Sequence, residues 1–168
     1  ANGSSAQRLQ TVRCLVELPG SQAEPLLLGV LDDEDTEIRI AAIAAIGQLR
    51  LRSAVTKLLV AAERRNADVR AATAKALGEM GAREAVDKLI VLLADASGTV
   101  RLEAVRALGL LRDPAAIPAL ATALGDDSKD VVEAALDELG AFADPTTVYS
   151  VLDKTRDPSI KIRVAAVK

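Results

Sequence analysis

The stretch Asp68-Val-Arg-Ala-Ala-Thr-Ala-Lys-Ala-Leu-Gly78 decides the fold, because its pattern returns 31 residues later as Thr99-Val-Arg-Leu-Glu-Ala-Val-Arg-Ala-Leu-Gly109. Both runs carry Val-Arg near the start, small residues in the middle and Leu-Gly at the end. Outward from this pair, the final glycine recurs with the same spacing at Gly47 and Gly140. A fixed period of this length indicates a repeat array, in which every unit packs on its neighbours.

Other positions of the frame repeat with the same period. An arginine recurs once per unit, and the position four places before it always holds a residue that favours the N-cap of a helix. The six arginine slots are Arg8, Arg39, Arg70, Arg101, Val132 and Arg163, where valine replaces arginine once. The six cap positions are Ser4, Asp35, Asn66, Ser97, Ser128 and Ser159. These columns predict that a helix begins at the same place in every unit.

Each unit is predicted to hold two helices. The second, helix B, follows the cap column and has an apolar stripe at helical spacing, as from Val69 to Met80. The first, helix A, opens in two units with Asp113-Pro114 and Asp144-Pro145, a capping residue and then proline at the first helical position. The predicted helices, alternating B and A from the N-terminus, are 5–18, 23–31, 36–49, 53–63, 67–80, 83–94, 98–111, 115–124, 129–142, 146–154 and 160–168.

The two quoted runs resemble the short HEAT-like repeat of the phycobilisome-lyase type. Further matching residues are Ala85-Val86, Leu89, Asp113-Pro114, Ala116-Ile117-Pro118 and Leu120. The period and the resemblance together predict an all-α fold, a right-handed α-solenoid of about five to six two-helix repeats that forms one array over residues 1–168. Because this repeat occurs in many unrelated scaffolds, the resemblance implies a fold and leaves the function open.

The resemblance also implies a role for the arginine column. In HEAT-like families the equivalent Asp and Arg hydrogen-bond along the stack, and a guanidinium can serve a carboxylate and helix carbonyls together. An anion site is the alternative interpretation. We expect a structural ladder, whose residues are Arg39, Arg70, Arg101, Arg163, Asp33, Asp95, Asp126 and Asp157.

Two units depart from the ladder pattern. Arg64 stands in the aspartate column, and Val132 stands in the arginine column. The unit with Val132 also has Glu138 where other units have alanine. Drift of the repeat and a local change of role both remain open as explanations.

The glycine column lies inside helix B, where glycine costs about 0.5–1 kcal/mol relative to alanine. We expect that it allows the backbones of adjacent helices to approach; a catalytic glycine loop is disfavoured because no strand precedes it.

Cys14 falls in the alanine column, which predicts a packing residue and not a reactive thiol. Phe142 is predicted to lie in the core and Tyr149 to be half exposed.

The acidic turn Asp32–Asp35 superficially resembles a calcium loop. It lacks the central glycine and the late glutamate that such a loop requires. Carboxylates at this place favour the positive end of the helix dipole, which is the interpretation we prefer.

Composition narrows the classes of function. The net charge of -3 disfavours nucleic acid, because phosphate binding relies on clustered Lys and Arg. The absence of histidine removes the commonest general base and metal ligand. We therefore predict no catalytic residue, no cofactor and no metal ligand. Without an apolar run of about 18 residues or a signal peptide, no membrane insertion and a cytoplasmic location are expected.

A stack of helix pairs has an elongated surface, and helix B usually lines its concave side. Positions one, five and nine places after the arginine slot should point outward, and they mix aliphatic with charged residues, as protein-binding grooves do. We predict a non-catalytic scaffold that binds a protein or peptide there. The predicted partner-binding residues are Ile40, Ala44, Ala71, Lys75, Glu79, Leu102, Arg106, Leu110, Glu133 and Asp137.

Three other functions stay open. A bilin-lyase-type subunit that handles a chromophore would share the repeat type, although the 1% aromatic content offers little surface for stacking a pigment. A DNA-repair solenoid is disfavoured by the acidity. A regulatory or tethering segment of a larger enzyme is compatible with the scaffold, because the frame calls for a further glycine after Lys168 and we expect the native protein to continue.

Overall fold

The computed structural model describes residues 3–167, and every regular element in this range is helical. The α-helices in chain order are α1 (Ser5–Leu15), α2 (Gly20–Gly29), α3 (Thr36–Gln48), α4 (Val55–Ala61), α5 (Ala67–Glu79), α6 (Val86–Leu92), α7 (Gly98–Leu111), α8 (Ile117–Ala123), α9 (Lys129–Phe142), α10 (Val148–Lys154) and α11 (Ile160–Ala165). The odd-numbered helices are the predicted B helices and the even-numbered ones are the A helices. The predicted all-α repeat architecture is therefore confirmed.

The odd-numbered helices form a continuous row, in which each packs on the next. Helices α2, α4, α6 and α8 each pack mainly on the odd-numbered helix that follows. The core lies between these two layers. It contains one fully buried leucine from each of four A helices, namely Leu27, Leu58, Leu89 and Leu120. Burial of one such side chain stabilises the fold by about 1.5–3 kcal/mol, so each of these four A helices contributes its own share of the core.

Capping residues fix where the B helices begin. All six predicted cap positions are the N-cap residues of their helices. The side chains of Ser4, Asp35 and Asn66 accept backbone N–H groups of the first turn, as an N-cap does. The last three serines make no such bond, and an aspartate two places earlier accepts the backbone N–H of each serine instead.

Four A helices, α4, α6, α8 and α10, are shorter than predicted, and each is preceded by a separate 3-10 turn, whereas α2 begins at Gly20, three residues before its predicted start. These turns are Arg52–Ala54, Arg83–Ala85, Pro114–Ala116 and Pro145–Thr147. In the last two, Asp113 and Asp144 cap the turn and proline occupies its start, as the sequence predicts. At the C-terminal end, α11 stops at Ala165, and the predicted helix residue Lys168 lies outside the described residues.

Helices α3, α5, α7 and α9 are each followed closely by a residue with left-handed backbone. The φ angles are +51° at Arg50, +67° at Gly81, +52° at Arg112 and +52° at Ala143. This column has the 31-residue period, but glycine fills it only once, so it is not evident in the sequence. In these four units the left-handed residue ends the B helix and turns the chain towards the next A helix.

Among residues 3–167, no helix combines the length and the apolar character that crossing a bilayer requires.

Candidate partner-binding surface

The outward residues of α3, α5, α7 and α9 form one side of the stack, which we call the B-face. Ala44, Lys75, Arg106, Leu110 and Asp137 are exposed. Ile40, Glu79, Leu102 and Glu133 are half buried. The structure thus brings nine of the ten predicted residues to one accessible surface, where side chains of neighbouring helices lie next to each other.

Ala71 is the exception, and its predicted exposure is wrong. Only 6% of this residue is accessible. Ala71 belongs to the buried core, because its one-carbon side chain is too short to extend beyond the packed helices. In the same column, the longer Ile40 and Leu102 reach partly into solvent.

A groove of about 740 Å³ runs over the first half of the B-face. Ile40 and Ala44 of α3, Lys75 and Glu79 of α5, and Leu110 of α7 line it. Leu110 is a large aliphatic residue of this wall that is exposed, with 61% of its surface accessible. The groove also includes Gln48 and Arg50. Arg50 was not predicted, because it belongs to the left-handed column that the sequence does not reveal.

A second depression of about 340 Å³ lies between α7 and α9. Leu102 and Arg106 form one wall, and the other wall is acidic. The acidic residues are Asp130, Glu133, Asp137 and Glu138. Two of these carboxylates, Asp130 and Glu138, were not among the predicted binding residues. The electrostatic character of the B-face therefore changes from one end to the other.

The basic groups of the B-face are partly neutralised within their own helices. The ammonium of Lys75 lies 3.9 Å from a carboxylate oxygen of Glu79. The guanidinium of Arg106 donates to Glu103 at 2.8 Å, and Glu103 is the more buried partner of this pair. Arg106 is thus held in a defined position beside the acidic wall.

Glu138 occupies the alanine column and reaches back over the glycine of the preceding repeat. A Cβ added to Gly109 would lie 1.9 Å from a carboxylate oxygen of Glu138, so the glycine provides the space for this side chain. Burial raises the pKa of the Glu138 carboxyl above its usual value, and Asp137 adds to the rise, while Arg112 and Arg106 oppose it. The departure seen in the sequence therefore places a partly desolvated acid at the edge of the B-face.

Away from the B-face, three residues differ from expectation. Cys14 is exposed, so the prediction that it is a packing residue is wrong. Tyr149 is 86% accessible instead of half exposed. Phe142 is half buried, not a full core residue, and the guanidinium of Arg112 lies 5.8 Å from its ring centroid. This distance permits a cation–π contact.

The arginine column pairs each repeat with the next one. Arg70 donates from Nε and Nη2 to the two carboxylate oxygens of Asp95, at 2.7 and 2.8 Å. Arg101 binds Asp126 in the same bidentate way, at 2.6 and 2.8 Å. Their remaining nitrogen, Nη1, donates to backbone carbonyls just before their own helix. We call each such pair a rung. Arg8 and Asp33, 25 residues apart, form another at 2.9 and 3.0 Å.

The aspartate of a rung has a second function. Oδ1 of Asp95 accepts Nη2 of Arg70 and also the backbone N–H of Ser97 at 2.8 Å. One carboxylate therefore joins two repeats and caps a B helix. These hydrogen bonds, with the Arg70 side chain as the largest cause, lower the pKa of Asp95, and Arg101 lowers the pKa of Asp126 in the same way.

The two sequence departures break two rungs. Arg39 should pair with position 64, which holds Arg64, and Arg64 instead contacts Asp32. Arg39 still donates to the carbonyls of Asp33 and Glu34 and to Thr36, but its buried Nε has no hydrogen-bond partner. The other break lies at Val132, where the aspartate of the next repeat, Asp157, has no arginine opposite it.

In the part of the chain that the structure describes, no group of three or more His, Cys, Asp or Glu side chains is arranged to hold a metal ion.

The fold and the rungs define a helical solenoid of short two-helix repeats. A family model described as HEAT repeats matches residues 2–65 and 55–139. The chain belongs to the HEAT-repeat family.

Solved structures of similar shape agree with this assignment. The structure of the CpcE–CpcF complex of phycocyanin lyase from Nostoc sp. PCC7120 has a TM-score of 0.76 and 28% identity, over 84% of this chain and 61% of that one. The structure of the Escherichia coli protein YibA has a TM-score of 0.79 and 19% sequence identity, over 99% of this chain and 65% of that one. A designed armadillo repeat protein in complex with the peptide (KR)4 has a TM-score of 0.67 and 20% sequence identity, over 99% of this chain and 93% of that one.

The chain spans less than two thirds of the first two of these proteins, 61% and 65% of their lengths. No curated protein has a significantly similar sequence.

Proposed function

We propose that the chain is a non-catalytic scaffold that binds a protein or peptide segment on the B-face. The observation that carries the proposal is the groove of about 740 Å³ along α3 and α5, which has an exposed leucine, Leu110, in its wall. Aliphatic surface in a concave site, bordered by charged groups, is what peptide-binding surfaces offer.

The charges along the B-face favour one direction of binding. Lys75 and Arg50 lie at the groove, and Glu133 and Asp137 lie at the acidic depression further along the stack. A segment with acidic residues at one end and basic residues at the other would match this order, and its reversed pose would place like charges together. We propose that the partner segment is dipolar in this sense.

The proposal can be tested with a photo-crosslinking amino acid at Leu110, in cells that express the full protein. Val91 is the matched control, since it is an aliphatic residue of similar exposure, 65% against 61%, on α6 of the opposite layer. We expect a partner adduct from position 110 and none from position 91. Adducts from position 91 alone would move the site to the A-helix side.

The captured partner is then tested with Leu102→Asp and Arg106→Glu. Surface substitutions of this kind usually change the free energy of unfolding by less than about 1 kcal/mol, although Leu102 is half buried and its folding must be checked by thermal melting. We expect both folded variants to bind more weakly. Binding as tight as that of the parent protein would show that the B-face is not the site.

A second candidate is favoured by the likeness to the phycocyanin lyase complex, which is 28% identical over 84% of this chain. In this alternative the chain is one subunit of a chromophore-handling pair. The sequence offers one phenylalanine and one tyrosine for stacking, and no tryptophan. A shift in the absorption spectrum of a free bilin on addition of the protein would support this candidate. An unchanged spectrum would contradict it, and the scaffold would remain the proposed function.

A further inference from the structure

The broken rung at Val132 leaves a cavity between α9 and α11. Its volume is about 290 Å³, far more than the ~30 Å³ that one water molecule occupies in the liquid. Val132, Leu124 and Ile162 form its apolar part, and Asp157 and Asp127 lie at its polar part. The cavity lies between the N-terminal halves of these helices, and it shares none of its lining residues with the B-face groove or the acidic depression.

Intact rungs of the same chain show what the polar part of this cavity is built to hold. In each, the aspartate of the next repeat receives Nε and Nη2 of an arginine at 2.6–3.0 Å. In each of those aspartates Oδ1 also accepts the backbone N–H two residues later. Asp157 keeps the second bond, with Ser159 N–H at 2.7 Å, and lacks the first.

The repeat register also places the carbonyl acceptors of a rung beside position 132. Nη1 of Arg101 donates to the carbonyls six and five places before it, and Nη1 of Arg163 does the same. For slot 132 the corresponding residues are Asp126 and Asp127, and both line the cavity. The side chain of Asp126 is already bound by Arg101, so the carbonyls and Asp157 form the unfilled set.

We propose that this cavity is a socket for a guanidinium group, which an arginine side chain of a bound polypeptide supplies in place of the arginine that the Val132 unit lacks. The guanidinium would donate to both carboxylate oxygens of Asp157, as a planar fork with parallel N–H groups can and an ammonium cannot. Its methylene stem would lie against Val132 and Ile162. This site is independent of the B-face and of the function proposed for it.

Two lysines, Lys129 and Lys154, also line the cavity and bear on its selectivity. Neither forms an ion pair with Asp157 among the described residues. Their charges oppose the entry of any cation, and Arg163 donates to the backbone carbonyl of Asp157. A cation that cannot donate two parallel N–H groups to the carboxylate is therefore expected to bind only weakly in the socket.

The probe is ethylguanidinium at millimolar concentration, added to the whole chain and followed through backbone amide NMR shifts. We expect a saturable shift at Ser159, whose N–H is bound to Asp157, and no shift at Ser97, because Asp95 already holds Arg70. Ethylammonium should produce about a tenfold weaker response. Equal responses to both cations, or no response at Ser159, would overturn the proposal.

Val132→Arg provides the decisive variant, since it fills the socket from within the chain. We expect this variant to lose the ethylguanidinium response, and Asp157→Asn to lose it through removal of the carboxylate. An unchanged response in either variant would contradict the socket, and the second variant keeps the test valid if the first does not fold. N-acetyl-arginine-N-methylamide should bind at least as well as ethylguanidinium; failure to bind would exclude a polypeptide as the source.

Discussion

At the scale of single residues, the rungs show how a repeat is joined to its neighbour. The carboxylates of Asp95 and Asp126 each accept a bidentate guanidinium and a backbone N–H, with little of the pair exposed to water. Charge-assisted hydrogen bonds that are shielded from solvent stabilise a fold more than exposed ion pairs do. The rungs therefore differ in kind from the exposed pair of Arg13 and Glu37, whose side chains are 62% and 68% accessible.

Arg70→Ala should lower the free energy of unfolding by about 1–3 kcal/mol, the scale for hydrogen bonds to a charged group. Arg39→Ala is the matched control, because Arg39 occupies the same slot without a carboxylate partner. We expect a smaller loss for Arg39→Ala, measured by urea denaturation. A loss as large as that of Arg70→Ala would show that the carbonyl bonds, and not the aspartate, carry the stabilisation. Affinity for a partner should stay unchanged in folded Arg70→Ala.

Glu138 gives a prediction about pH. Its pKa is raised in the folded state, so the protonated acid favours folding at low pH, and this contribution is lost as the pH rises through the folded-state pKa. Glu138→Gln removes the ionisation and nearly keeps the shape. We expect the variant to be more stable than the parent at pH 7 and to lose this advantage below about pH 4, near the unfolded pKa of glutamate. Thermal melting of both proteins across this pH range measures the difference in stability. An equal difference at every pH would contradict the prediction.

At the scale of the helices, the B helices were predicted better than the A helices. The predicted bounds of α7 and α9 agree with the structure at both ends, and α3 and α5 differ by one residue at the C-terminus. Capping residues fix their starts and the shared period fixes their length. The A helices have weaker end signals, so the sequence did not separate their 3-10 turns from the helix proper. The rungs followed from the resemblance, whereas the cavity at Val132 depends on packing that no local pattern records.

The left-handed column at the B-helix ends allows a paired substitution test. Gly81→Ala should destabilise by about 1 kcal/mol, because a Cβ is disfavoured in left-handed backbone while the space around Gly81 is open. Ala143→Gly should relieve the same strain in the next but one repeat and stabilise by up to about 1 kcal/mol. Chemical denaturation of both variants gives the values. If both substitutions shift stability in the same direction, backbone strain is not the cause.

At the scale of the whole molecule, glycine sets the spacing of the stack. An added Cβ on Gly78 would lie 2.7 Å from the Cα of Ala107, and one on Gly47 would lie 2.8 Å from the Cα of Ala76. Each glycine thus faces an alanine of the next repeat at a distance that no other residue permits. This confirms the expected close approach of the B helices, and it explains why the row of odd-numbered helices is the continuous part of the core.

Gly78→Ala should therefore destabilise by about 1–3 kcal/mol, as overpacking of a filled contact does. Gly29→Ala in α2 is the control, since no atom lies within 4 Å of the place that an added Cβ would take, and alanine favours the helix by about 0.5–1 kcal/mol. We expect opposite signs for the two variants in denaturation experiments. Destabilisation of equal size at both positions would show that glycine is needed for some reason other than helix spacing.

The spacing of the rungs also bears on how the chain is made. Each guanidinium finds its carboxylate only 25 residues further along, and no hydrogen bond that the structure records between repeats in residues 3–167 spans more than 32 residues. Contacts of such short range close quickly, and they need no distant part of the polypeptide. During synthesis, the rung between two repeats can form as soon as the second repeat has left the ribosome. Folding that starts at the N-terminus can therefore keep pace with translation.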